Sequence, residues 1–153
     1  MNWEMGEKDP KVRATVEKSY LSGKKCLLID DDIPMIDLLS KFFVIEGCEV
    51  EKALDGKSAL EKIAATPFDF IICDVRMQGM DGITFYQKLK EGKSSYLKKI
   101  IFITGDTTSD EIQEFLNSIE NPLLKKPFGL YDIKEVIQGL LTNPSYGNKD
   151  IAW

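Results

Sequence analysis

The chain has 153 residues, enough for one domain with a little chain left over at its ends, and a domain of this size buries about 70% of its unfolded surface without staples. Its formal charge is −5 with no stripe of Lys and Arg, so nucleic acid and anionic membranes are poor partners. It contains no histidine, which excludes a His-ligated metal, a Ser-His or Cys-His nucleophile and a phosphohistidine of its own.

Residues 1–23 read as a separate piece. Asp9 and Pro10 form a cap and first-turn pair, Val12, Val16 and Tyr20 share one face, and Ser22-Gly23 is a stop, which predicts a short extra helix. A helix frayed or lying on its own domain and a helix that serves as a dimer contact or as the stub of a preceding domain are both open. The start, MNWEMGEKDP, lacks the apolar core of a signal peptide, and no apolar stretch approaches a membrane span, so a cytoplasmic protein without a span is expected.

From residue 24 to 141, apolar runs alternate with segments of helical period. Lys25 to Ile29 is a strand signal, followed by a helix from Ile33 to Glu46 that Asp32 caps, Pro34 opens and Gly47 ends. Cys48 to Ala53 reads as an edge strand, because Val50 alternates with Glu49 and Glu51, whereas the unbroken runs FDFIIC and KKIIFI suit central strands covered on both faces. Further helices are predicted at Lys57 to Ala65, Ile83 to Lys90, Ser109 to Ile119 and Leu130 to Leu141, and the run PLLK, opened by Pro122, suits a second edge.

Strand then helix, five times over, implies an α/β domain: a doubly wound five-stranded parallel sheet of order 2-1-3-4-5, flavodoxin-like, with helices on both faces. Residues 142–153, which contain Asn143-Pro144 and Gly147, read as a flexible tail too short for a second domain, so a stand-alone regulator or a fragment is expected. Cys26, Cys48 and Cys73 form no Cys-x-x-Cys pair; buried reduced thiols are the expected reading, with a disulfide or zinc role as the competitor.

Four of the apolar runs end on groups able to handle a phosphoryl group or a metal: Asp30 and Asp31, Asp74, Thr104, and Lys126. In a parallel sheet these meet outside the carboxyl ends of the strands, where such folds bind ligands. Three carboxylates there would repel one another unless a cation sat among them, and Mg2+ suits oxygen donors and phosphate together. With metal and Lys126 stabilising the transition state, a carboxylate is a competent nucleophile, and Asp74 is delivered to the middle of the edge. Each residue also has a plainer reading. Asp32 is a helix cap, Asp30 and Asp31 alone could be caps or loop carboxylates, Thr104 alone an ordinary strand end and Lys126 a solvated charge.

Together, the acidic pair in LLIDDD, the aspartate in ICDVRMQGMDG, the threonine in FITGD and the lysine in KKPF resemble the receiver domain of two-component response regulators, including receivers attached to hybrid histidine kinases. Spacings of 43 residues from Asp31 to Asp74, 30 from Asp74 to Thr104 and 52 from Asp74 to Lys126 agree with the family. The resemblance implies that Asp74 is the phosphoacceptor, supplied by a histidine kinase or histidine phosphotransfer protein. Asp30, Asp31, Asp74 and the backbone carbonyl of Arg76 would hold Mg2+, Lys126 would bind a phosphoryl oxygen and Thr104 would act as the switch, with a downstream protein or a second copy as target. Lys126-Pro127 matches a peptide that is frequently cis in the family.

Three departures qualify it. Gln78 stands where proline is usual. Leu123 occupies the place of an aromatic switch residue. Arg76 and Asp106 lie at positions that tune phosphoryl lifetime in similar proteins, and their opposite charges could pair across the mouth. Leu123 and the missing proline motivate an alternative, a degenerate receiver acting as a phosphorylation-independent interaction or dimerisation module. A phosphohydrolase built on an aspartyl-phosphate would need a second acid two residues after the nucleophile, where this chain has Arg76.

Overall fold

The computed structural model describes residues 19–105 and 108–142. Asp9, Pro10, Val12, Val16, Asp106 and the tail 143–153 lie outside the described residues, and with them most of the expected N-terminal helix.

Five strands, β1 (Lys25–Ile29), β2 (Glu49–Ala53), β3 (Phe70–Asp74), β4 (Ile100–Thr104) and β5 (Leu123–Lys125), alternate with helices α1 (Ile33–Ile45), α2 (Gly56–Ala65), α3 (Gly82–Gly92), α4 (Asp110–Asn117) and α5 (Leu130–Thr142). All pairings are parallel and the order is β2-β1-β3-β4-β5, the doubly wound arrangement expected from the sequence. The helix starts follow the side chains able to cap them: Asp32, Asp55 and Asp81 accept from the amides of Met35, Ser58 and Thr84.

Alternation along the strands divides the core into two layers, because successive side chains point to opposite faces of the sheet. Leu27, Ile29, Ile71, Cys73, Ile100 and Phe102 face α2, α3 and α4, packing with Ala59, Ile63, Phe85, Leu89, Ile112 and Phe115. On the other face Leu28, Phe70, Ile72, Ile101, Ile103 and Leu124 meet Ile36, Leu39 and Phe43 of α1 and Ile133, Val136 and Ile137 of α5. The three cysteines are buried free thiols.

Phe102, fully buried, makes edge-on contact with Phe115 at 5.3 Å and a tilted one with Tyr86 at 6.0 Å between ring centroids. Truncating a ring so enclosed removes its transfer energy and leaves a cavity. Phe102→Ala is therefore expected to cost about 3–5 kcal/mol, measured as a lower urea midpoint at unchanged slope; a loss under about 1 kcal/mol would show that the layer collapses around the gap.

Boundaries differ in instructive places. Lys98 and Lys99, read as the start of a strand, close a 3-10 helix over Ser94–Lys99 whose buried Tyr96 accepts a bond from the Phe68 amide at 3.0 Å. Pro122 lies just before β5, which keeps its missing N–H out of the ladder, and its carbonyl accepts from the Phe102 amide at 3.0 Å. Residues 19–23, assigned from the sequence to the extension, pack onto the sheet domain. Leu21 is fully buried in the α1/α5 layer, and Gly23, at φ 81°, turns the chain into β1. Ser19 donates to Glu46 Oε1 at 2.8 Å, Lys134 pairs with the same oxygen at 2.6 Å, and the Tyr20 hydroxyl donates to the Lys134 carbonyl, so this entry segment is clasped between α1 and α5.

Candidate functional site

Because β1, β3, β4 and β5 run parallel and in register, their ends bring Asp30, Asp74, Thr104 and Lys126 to one edge. Asp74 pairs with Ile103 across the sheet, Thr104 with Lys125, and the Thr104 carbonyl accepts from the Lys126 amide at 2.8 Å. Asp30 is 1% exposed and Asp74 5%, whereas Asp31 lies in the open at the start of the next loop. Ligand oxygens of Asp30, Asp31 and Asp74 lie within 4.8 Å of one another.

Among the described residues, Lys126 is the cation that bridges the two buried carboxylates. Lys126 Nζ donates to Asp30 Oδ2 at 3.1 Å and to Asp74 Oδ2 at 3.0 Å. Backbone amides take other oxygens: Asp32 N–H donates to Asp30 Oδ1 at 2.9 Å, and Arg76 N–H to Asp74 Oδ1 at 3.2 Å. The balance is incomplete. Burial, then the charge of Asp30, pushes the Asp74 carboxyl up to about 6 despite the bond from Lys126. For Lys126, burial pulls downward but is outweighed by Asp74 and Asp30, and its pKa is raised. The neighbouring Cys73 thiol is pushed up by burial and by both aspartates, so it stays protonated and unreactive.

Such a site, with oxygen donors of net negative charge open on the Asp31 side, suits a hard divalent cation. It holds no thiolate or imidazole for a softer metal. The donor set therefore fits the Mg2+ that the sequence calls for, and a cation there would replace the missing positive charge.

The structure brings Asp30, Asp31, Asp74, Thr104 and Lys126 together as the sequence reading anticipated. Thr104 is fully buried; Leu123, on β5 opposite Phe102, is half-buried and packs on the α2/α3/α4 layer. The Lys126-Pro127 peptide is cis. Arg76 is exposed, while its expected counterpart Asp106 is outside the described residues.

Two contributors escaped the sequence reading. At Gly82 a Cβ would lie 2.6 Å from the Asp74 carbonyl oxygen and 2.9 Å from the Val75 Cα, so only glycine lets α3 start against the end of β3. The other is a backbone donor: Gln78 N–H binds Asp31 Oδ2 at 3.1 Å. The last glycine of QGMDG, Gly82, was a visible signal of close approach, but an amide leaves none in a side-chain pattern.

Comparison with known proteins agrees with this architecture. The family profile of the response regulator receiver domain matches residues 26–138. The transcription factor SKN7 of Candida albicans is 28% identical over 124 residues, 81% of this chain and 22% of that protein. The sensor protein EvgS of Escherichia coli K12 is 32% identical over 154 residues, 97% of this chain and 13% of that protein. Among solved structures, the chemotaxis protein CheY4 of Vibrio cholerae superposes with a TM-score of 0.68 at 32% identity, covering 77% of this chain and 98% of that one. The response regulator TrrA of Thermotoga maritima, solved in complex with Mg2+ and BeF, gives a TM-score of 0.65 at 28% identity, with 77% and 99% covered. The chain spans less than a quarter of the length of these curated relatives. No helix among the described residues is long and apolar enough to cross a membrane.

Proposed function

The chain belongs to the response regulator receiver domain family of two-component signalling, and from that premise we propose that Asp74 accepts a phosphoryl group from a phosphohistidine on a histidine kinase or histidine phosphotransfer protein. An oxygen of Asp74 attacks phosphorus, the P–N bond of the donor breaks with its electron pair going to the imidazole nitrogen, and an acyl phosphate forms. The observation that carries this reading is the pairing of one lysine with two buried carboxylates, 3.1 Å and 3.0 Å away, beside an open third carboxylate.

Each residue has a role in that step. Lys126, delivered by β5, is placed to follow charge from the Asp74 carboxylate to the phosphoryl oxygens. Asp30, Asp31 and Asp74, with the Arg76 carbonyl, would hold Mg2+, which would supply positive charge against the carboxylates and the incoming phosphoryl group. The Arg76 amide fixes one oxygen of Asp74 and so orients the carboxylate. Thr104, on the neighbouring strand end, would turn its hydroxyl to the new phosphoryl group and couple the chemistry to the surface around α4 and β5. Leu123 carries no ring there, so any relay to that surface runs through aliphatic packing. Arg76 and Asp106 would tune the lifetime of the acyl phosphate.

The output would be altered binding of a downstream protein or of a second copy, in a cytoplasmic setting and without direct contact to nucleic acid; the receiver would catalyse no more than its own phosphorylation and dephosphorylation. Beryllofluoride with Mg2+ tests the site without turnover. Amide resonances of residues 74–78, 104–105 and 126 are expected to shift in wild type; an unchanged spectrum would contradict the proposal and favour an interaction module that works without phosphate.

A further inference from the structure

The three acidic residues of the site are held in different ways. Asp30 and Asp74 are buried, each bound by Lys126 and by a backbone amide. Asp31 is exposed, and among the described residues the bond that fixes its carboxylate is the 3.1 Å contact from Gln78 N–H to Oδ2. An exposed aspartate without such a contact samples several rotamers, and ordering it on a cation costs free energy.

The donor is itself well framed. At the start of the loop the Arg76 amide binds Asp74 Oδ1, and at its end the Met80 carbonyl accepts from Gly56 N–H at 2.9 Å, at the head of α2. Gly79, at φ 73°, makes the turn between them. The glycine at 56 is required for that closeness, because a Cβ there would lie 2.9 Å from the Met80 oxygen. Gln78 N–H thus projects from a loop pinned to both β3 and α2.

We propose that Gln78 is a positioning residue for the cation site: its backbone N–H holds Asp31 Oδ2 and leaves Oδ1 presented to the metal. This rests on the receiver reading of the acidic cluster and adds a residue to it. The side chain is incidental; the N–H is what acts. Hydrogen bonds to ligating carboxylates orient them, and their loss typically weakens metal binding about 10–100-fold. Since Asp31 is exposed, the effect belongs at the lower end, about tenfold.

Mg2+ titrations of wild type, Gln78→Ala and Gln78→Pro test this. Alanine keeps the N–H, and its affinity is expected to match wild type; proline removes it, and its affinity is expected to fall about tenfold at an unchanged urea midpoint. Equal or tighter binding by Gln78→Pro, or an equal loss in Gln78→Ala, would overturn the proposal. Should the proline variant not fold, hydrogen exchange at the Gln78 amide of wild type decides. Protection kept or increased on adding Mg2+ supports positioning, and protection lost would mean that the amide competes with the metal. Failure of wild type to bind Mg2+ sinks this role and the receiver reading together. The expected Mg2+ pattern without phosphoryl uptake would sink only the phosphoacceptor reading.

Discussion

Asp74→Asn is expected to abolish phosphoryl uptake and, in the same protein, to stabilise the metal-free fold. An amide has no carboxylate oxygen to attack phosphorus, so acyl phosphate formation at this position stops. The stability gain follows from the electrostatics. Burial and Asp30 raise the Asp74 carboxyl to about 6, above the ordinary carboxylate range in the unfolded chain, so the ionised group opposes folding at neutral pH by about 3 kcal/mol. The sign fixes the pH window. A carboxyl whose folded pKa is raised costs stability in full above pH 6; most of the cost has faded by about pH 4 and the rest goes below it, where both states bind the proton. Asp74→Asn is therefore expected to unfold at higher urea than wild type at pH 7 and at nearly the same urea at pH 4. Saturating Mg2+ is expected to narrow the gap at pH 7, since a bound cation stabilises wild type more than a variant with one carboxylate fewer.

Lys126→Met is the second large effect, and it runs the other way. Methionine keeps most of the aliphatic stem but removes the ammonium that bridges Asp30 Oδ2 and Asp74 Oδ2. Two buried carboxylates then face each other. Removing one partner of a buried pair costs about 3–5 kcal/mol, and with the lysine side chain 20% exposed the loss should be nearer about 3 kcal/mol at neutral pH. It should shrink as the Asp74 carboxyl, raised to about 6, takes up its proton in acid. Phosphorylation by acetyl phosphate should slow by about 10²–10³, the usual effect of removing one preorganised charge donor from a transition state. Wild-type phosphorylation rates in Lys126→Met would show that the lysine is a structural counter-charge and no part of the transfer.

These residues were legible in the sequence because chemistry and fold signals coincide at them. FDFIIC suits a strand covered on both faces, which places the residue after it at the sheet edge; the same logic located Asp30, Thr104 and Lys126. What stayed hidden depends on tertiary contact. Leu21 carries no period, yet its burial between α1 and α5 draws residues 19–23 onto the domain. The clasp of Ser19, Glu46 and Lys134 joins residues distant in the chain. Residues Ser94–Lys99 gave no helical stripe, because the buried hydroxyl of Tyr96, bonded to Phe68 N–H, settles their path. Most consequential is Gln78: its side chain suggests only a surface loop, while its backbone N–H reaches the exposed acid of the site.

Leu123 fits between these extremes. The sequence showed that the ring of an aromatic switch was absent. The structure shows what fills the place: a half-buried aliphatic group across from Phe102, packed on the α2/α3/α4 layer. Any coupling from Thr104 to α4 then depends on that packing.

The most direct measurement of the central claim is transfer from a phosphorylated histidine donor to this chain with Mg2+ present, followed by mapping of the modified residue. One phosphoryl group on Asp74, absent in Asp74→Asn and strongly slowed in Lys126→Met, is the expected result. No transfer from any phosphohistidine donor or from acetyl phosphate, or modification of a different residue, would contradict it.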